Sequence, residues 1–268
     1  MTLLMVALGL LALWWLLGRL EQAMTYHPGP PVGVPPTLPG GPVIENVTLH
    51  TADGETLQAW WLPQPDPAAP LLLFLHGNAG TRADRLHNLL GLWAAGFQVL
   101  IPDYRGYGGS SGRPSEAGLA LDADAALAWL REHNDGNQGV IVFGRSLGGA
   151  VAAGLAARAP VRGLIIESTF TSATEMAARM LPIPGIGRVL RARYDTLAAL
   201  RTYRGPLRII HGTADSLIPH SMGERLFAAA ASTNKRMHSV PGGDHNDTYI
   251  TAGAAYYPWL LEILENTQ

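Results

Sequence analysis

Val140-Ile141-Val142-Phe143-Gly144-Arg145-Ser146-Leu147-Gly148-Gly149 is the stretch whose reading decides the fold. Its first four residues are apolar and mostly β-branched, as a strand buried on both faces requires. Ala150 to Arg158 follows with the composition of a helix. The order is strand, tight turn, helix, with a serine at the turn. This is the G-x-S-x-G pattern, in which a strained turn lifts a serine hydroxyl clear of the sheet edge. Five residues of Gly and Ser are weak evidence alone. The strand and helix on either side make them specific. The competing reading is an ordinary helix start with Ser146 as its N-cap.

Upstream, Leu71 to Leu75 is a second wholly apolar short run, ending in His76-Gly77-Asn78-Ala79-Gly80. A loop in this position supplies a backbone N–H, near Asn78, that pairs with the N–H of Leu147 to hold an oxyanion. His76 reads as a structural residue fixing that loop. Phe97 to Ile101 is a further buried strand, and the helical run Asp84 to Ala95 makes the pair a parallel βαβ unit. It leads into Asp103-Tyr104-Arg105-Gly106-Tyr107-Gly108, where Asp103 reads as a loop-fixing carboxylate paired with Arg105 or with backbone N–H groups. Val43 to Leu49 and Thr56 to Leu62 read as an antiparallel start to the sheet. Glu116 to Glu132 reads as an amphipathic helix, and Tyr249 to Glu265 as one closing helix.

With the serine turn, the His-Gly-Asn-Ala-Gly loop and the Asp-Tyr-Arg-Gly-Tyr-Gly segment together, the chain resembles the α/β-hydrolase superfamily. Within it, the chain is similar to the Bem46-like membrane-anchored serine hydrolases and their animal ABHD-type relatives. The likeness runs from about Tyr26 to the C-terminus and includes Pro114-Ser115-Glu116-x-Gly118-Leu119. It implies a mostly parallel central sheet with helices on both faces and a small cap. It places the triad acid at Asp215, in the loop after Leu207 to Ile210, and the base at His245, after the last strand Arg236 to Val240. Ser146, Asp215 and His245 then fall in the chain order this fold demands. Asp247 is a lesser candidate for the acid, and Glu167 reads as a structural carboxylate. The cap is expected at about 170–203, with Met180, Leu181, Ile183 and Ile186 lining an apolar substrate pocket. A dehalogenase or epoxide hydrolase on this fold would carry Asp in place of Ser146.

Composition narrows the rest. A chain of 268 residues with net charge −2 offers no basic patch for nucleic acid. With no cysteine, thiolate nucleophiles, disulfides and Cys-bound metals are excluded, and the expected chemistry needs no cofactor and no metal. Leu3 to Leu17 carries no charge before Arg19 and Glu21. A retained membrane anchor is expected here, against a cleaved signal peptide or a buried helix. The resulting organisation is a transmembrane and juxtamembrane helix over 1–25, a Pro/Gly-rich linker over 26–42 and the hydrolase domain over 43–268. The resemblance implies a single-pass anchor in a bacterial inner membrane, with the catalytic domain periplasmic. The expected activity is hydrolysis of carboxylic esters of the mono- or lysoglycerolipid type. The substrate partner is then a lipid or acyl ester, and the alternatives are an acyl-protein thioesterase, a peptidase or a tethered binding protein.

Overall fold

The computed structural model describes residues 2–133, 139–181, 183, 185, 187 and 190–265. Its first helix, α1 (Thr2–Thr25), is followed by a short strand β1 (His27–Pro28) that pairs in parallel with β5 (Ala79–Gly80). The main sheet has eight strands in the order β10-β9-β8-β7-β4-β6-β3-β2. These are β2 (Glu45–His50), β3 (Thr56–Leu62), β4 (Leu71–Leu75), β6 (Gln98–Pro102), β7 (Ile141–Arg145), β8 (Gly163–Glu167), β9 (Leu207–Gly212) and β10 (Lys235–Val240). Strands β2 and β3 pair antiparallel, as does β3 with β6. The pairings from β6 through β4, β7, β8 and β9 to β10 are parallel.

Alternation along the central strands fills two cores, one on each face. Leu71, Leu73 and Leu75 of β4 join the core packed by α3 (Glu116–Glu132) and α4 (Leu147–Arg158). Leu72 and Phe74 join the opposite core, with Leu89 and Leu92 of α2 (Leu86–Ala94) and with Tyr256 and Leu260. Helix α3 starts at Ser115, whose hydroxyl accepts from the Gly118 N–H. The doubly covered sheet brings the carboxyl ends of β4, β7, β8 and β9 to one edge, where sites on such folds assemble.

The structure revises three expectations. The closing helix is broken into two short helices, Thr248–Thr251 and Tyr256–Leu261, and two 3₁₀ turns. Gly253 sits at φ +54°, outside helical geometry, and Pro258 lacks the N–H a continuous helix would use. The first part of the expected linker, residues 26–32, is bound to the domain. Tyr26 is buried, Gly29 N–H donates to Gly80, and Val32 N–H donates to Gly108. Among the described residues, no helix is long and apolar enough to cross a membrane. The uncharged run at Leu3–Leu17 would reach about 22 Å, less than a hydrocarbon core of about 30 Å. The single-pass transmembrane anchor therefore loses its support. The C-terminal half of α1 instead docks on the domain, where Gln22 Nε2 donates to the Pro114 carbonyl at 2.8 Å.

Phe74 is fully buried and stacks on Phe143 of the neighbouring strand with ring centroids 4.8 Å apart. Phe74→Ala is expected to cost about 3–5 kcal/mol. The urea midpoint should fall while the slope of the transition stays unchanged.

Candidate active site

Ser146 stands between β7 and α4 at φ +54° and ψ −121°, a backbone that residues other than glycine rarely adopt. Its glycine neighbours allow that turn because they let chains touch. A Cβ on Gly148 would overlap the carbonyl oxygen of Leu75, and one on Gly144 would overlap that of Gly148. The turn is pinned by Ser146 N–H donating to Glu167 O at 2.9 Å and by Thr169 Oγ1 donating to Ser146 O at 2.7 Å.

Three loop side chains converge there. Ser146 Oγ lies 3.1 Å from His245 Nε2, and His245 Nδ1 lies 2.9 Å from Asp215 Oδ2. The carboxylate fixes the tautomer: Nδ1–H donates to Asp215, leaving Nε2 to accept from the serine. Asp215 Oδ1 also accepts from the Leu217 and Ile218 N–H groups, and His211 Nε2 lies 3.3 Å from Oδ2. Burial alone would raise the Asp215 carboxyl. The hydrogen bonds from His211, His245 and Ile218 outweigh it and hold the group below the usual carboxylate range. Asp247 accepts from Asp244 N–H and so shapes the loop without reaching the imidazole pair. Asp244 ties the two loops together by accepting from Ser216 and from the His245 N–H.

Glu167 is a structural carboxylate, as expected, and its partner Arg145 is a support that sequence reasoning missed. Arg145 Nη2 donates to the His245 carbonyl at 3.0 Å, and its Nε meets Glu167 Oε1 at 3.1 Å. Glu167 is fully buried and also accepts from the hydroxyls of Thr248 and Tyr256. One buried ion pair thus links the serine turn, the strand β8 and the histidine loop. An Arg next to the serine and a Glu at a strand end were the available signals. Only the fold brings them together.

The expected oxyanion donors sit beside the serine. Leu147 is the first residue of α4, so its N–H has no acceptor within the helix. Asn78, Ser146 and Leu147 line the same cavity. The peptide carrying the Asn78 N–H is oriented by His76, whose Nδ1–H donates to the Gly77 carbonyl at 2.7 Å. Tyr104 OH donates to His76 O at 2.9 Å, and Tyr107 OH to Asn78 O at 2.8 Å. The Asp-Tyr-Arg-Gly-Tyr segment is therefore the brace of this loop. Asp103 pairs with the guanidinium and N–H of Arg82, not with Arg105. Arg105 instead binds Asp122 and Asp53.

A cavity of about 420 Å³ lies over Ser146. Met180 and Leu181 line it, as expected. Ile183 does not: it is 57% exposed and outside the lining. Ile186 lies outside the described residues. Sequence reasoning missed the opposite wall, Leu17, Leu20 and Met24 of α1, whose helical spacing was legible but had been assigned to a membrane. Among the described residues, no group of three or more His, Asp or Glu side chains is placed to hold a metal ion.

Comparison with known proteins agrees with this geometry. Residues 70–185 match the family model for the alpha/beta hydrolase fold. An uncharacterized protein of Mycobacterium tuberculosis is 37% identical over 267 residues, covering 98% of this chain and 92% of that protein. Protein bem46 of Schizosaccharomyces pombe is 35% identical over 229 residues, covering 82% of this chain and 76% of that protein. The chain belongs to the α/β-hydrolase family, in its Bem46-like branch. An esterase of Pyrococcus furiosus superposes with a TM-score of 0.74 at 20% identity, over 90% of this chain and 98% of that one, and so shares the fold. The α/β-hydrolase assignment makes the Ser146 edge of the sheet the place to look for hydrolytic chemistry.

His76 generates a pH prediction. Burial foremost, helped by the nearby Arg85 charge, pushes its pKa from 6.5 to about 3. Between those values the unfolded chain binds a proton that the folded one refuses. Stability should fall as pH drops through this window, by up to about 1.4 kcal/mol per unit. Urea melts at pH 4–7 of the wild type and His76→Gln check it: the variant should show the shallower acid loss, and equal slopes would contradict the argument.

Proposed function

We propose that this hydrolase cleaves carboxylic esters of apolar acyl chains, of the mono- or lysoglycerolipid type, through an acyl-enzyme on Ser146. The observation that carries the reading is the hydrogen-bonded chain from Ser146 through His245 to Asp215 at the head of an apolar cavity. His245 takes the proton as Ser146 Oγ attacks the acyl carbonyl. The Leu147 and Asn78 N–H groups bind the oxyanion, each such donor being worth about 3–4 kcal/mol of barrier. His245 returns the proton to the departing alcohol. Water then attacks the acyl-enzyme by the same route, and Asp215 stabilises the imidazolium in both halves.

The test is hydrolysis of p-nitrophenyl esters, monoacylglycerol and lysophospholipid by the purified chain, with fluorophosphonate labelling alongside. Ser146→Ala and His245→Ala should each lower kcat by about 10⁴-fold or more. Ser146→Ala should also abolish labelling and keep the urea midpoint close to that of the wild type. Comparable turnover in Ser146→Ala would sink the mechanism.

The reading extends to where the substrate is met. Leu11, Trp14, Trp15 and Leu16 are exposed on α1, with Arg19 beside Trp15. Exposed tryptophans suit the headgroup level of a bilayer, and the exposed leucines beside them suit its acyl boundary. The full chain should therefore co-sediment with phosphatidylglycerol vesicles, and the double variant Leu11→Asp/Trp15→Asp should stay in the supernatant. Equal sedimentation of both would remove α1 as the contact.

A further inference from the structure

The cavity over Ser146 is walled by two helices that sequence alone would never pair. On one side is α5 (Ala173–Met180) of the cap, which presents Met176, Ala177 and Met180. On the other is α1, which presents Leu17, Leu20 and Met24, one stripe at helical spacing. Leu20 and Met24 are 53% and 39% exposed although they line the cavity, so they face open space and not a packed core.

The seam between these walls is clasped. The Glu21 carboxylate accepts from the N–H groups of Arg191 and Ala192 at 2.8–3.0 Å. The Arg191 guanidinium lies over the Trp14 ring at 3.8 Å, donates to the Trp14 carbonyl and rests on Gly18, where a Cβ would overlap it. The next N–H groups, of Arg193 and Tyr194, donate to Glu116 of α3. The returning segment 191–194 of the cap is thus gripped through consecutive amides by carboxylates from two helices. Tyr26 OH and Tyr194 OH, 2.8 Å apart, close the same seam from below. At its end α1 also holds the oxyanion loop. Asn78 Nδ2 donates to the Thr25 carbonyl at 3.1 Å, and His27 N–H donates to Asn78 O at 2.9 Å.

We propose that the C-terminal half of α1 is a substrate-binding element: Leu17, Leu20 and Met24 form the wall along which the apolar chain of the substrate lies, and Glu21 clasps that wall to the cap. This rests on the reading of Ser146 as an acyl-transfer nucleophile. The chain it takes is uncharged. Glu21 is the acidic group in the lining, its oxygens are occupied by backbone amides, and it repels an anionic tail. The slot runs from the reacting carbonyl because α1 and the Asn78 loop are bonded to each other. Each methylene buried against such a wall is worth about fourfold in binding.

The full chain is assayed in two ways. One is the ratio of kcat/KM for p-nitrophenyl decanoate over acetate. The other is fluorescence binding of a nitrobenzoxadiazole-labelled dodecanol to the Ser146→Ala protein, which needs no turnover. Leu20→Trp and Met24→Trp fill the slot and should each lower the decanoate-to-acetate ratio and the probe affinity at least tenfold. Ala23→Trp, at an exposed position of the same helix outside the cavity lining, should keep the wild-type ratio and affinity. Glu21→Gln should lower both severalfold by loosening the clasp. Ester turnover in which the filling variants change neither quantity overturns the slot and leaves the hydrolase standing. Loss of probe affinity in the filling variants of a protein that turns over no ester supports the slot and sinks the nucleophile.

Discussion

The carbonyl oxygen of Leu75 occupies the space that a side chain on residue 148 would need. That contact between β4 and the first turn of α4 is the constraint from which the site follows. It demands glycine at 148, and the reciprocal contact demands glycine at 144. Together they force the chain at Ser146 into a positive-φ turn, which only the surrounding hydrogen bonds to Glu167 and Thr169 sustain. The reward is a hydroxyl projected above the sheet edge at the N-terminus of a helix, where an unpaired N–H and a favourable dipole already point. Strain and chemistry share one residue because the close approach that creates the first also positions the second.

Around this turn the polar groups are arranged as braces, and most are buried. Arg145 joins the serine turn to the histidine loop through Glu167. Asp244 joins the histidine loop to the loop of Asp215. His76, Tyr104 and Tyr107 hold the segment around Asn78. A buried ion pair such as Arg145–Glu167 adds little net stability compared with apolar packing, since desolvation offsets its attraction. Its value here is geometric. It fixes a loop that must carry an imidazole to within hydrogen-bond reach of the serine.

Much of this was legible in the order of residues. The five-residue apolar strands announced themselves because both faces of the sheet are covered, which leaves no polar alternation to confuse them. The expected bounds of helix α3 are the observed ones because its apolar spacing is regular, and Ser115 caps its start in the structure. Ser146, Asp215 and His245 were legible through their places at strand ends. The partners of buried charges were not. Asp103 accepts from a backbone N–H, one of its two expected partners, but its guanidinium is that of Arg82, 21 residues earlier, and not the nearby Arg105. The break at Gly253 was also hidden, because a glycine within a helical pattern does not reveal the sign of its φ. For α1, hydrophobicity told that the helix needs an apolar surrounding, but it did not tell whether lipid or protein supplies it.

That ambiguity resolves along the length of α1 itself. Its tryptophan-bearing stretch is largely exposed, while the turn that begins at Leu17 faces the cap, the cavity and the Asn78 loop. Residues from the first and last helices therefore meet at one edge of the sheet: Thr25 accepts from the side chain of Asn78, and Tyr256 donates to the Glu167 that holds Arg145 and, through it, His245. A displacement of α1 cannot leave the oxyanion loop in place, because the Asn78 side chain and carbonyl are both bonded to the segment 25–27. The helix that hydrophobicity assigns to a surface outside the protein is thus bonded to the loop beside Ser146. On this architecture, a shift of α1 reaches the cavity over Ser146 through the same turn of helix.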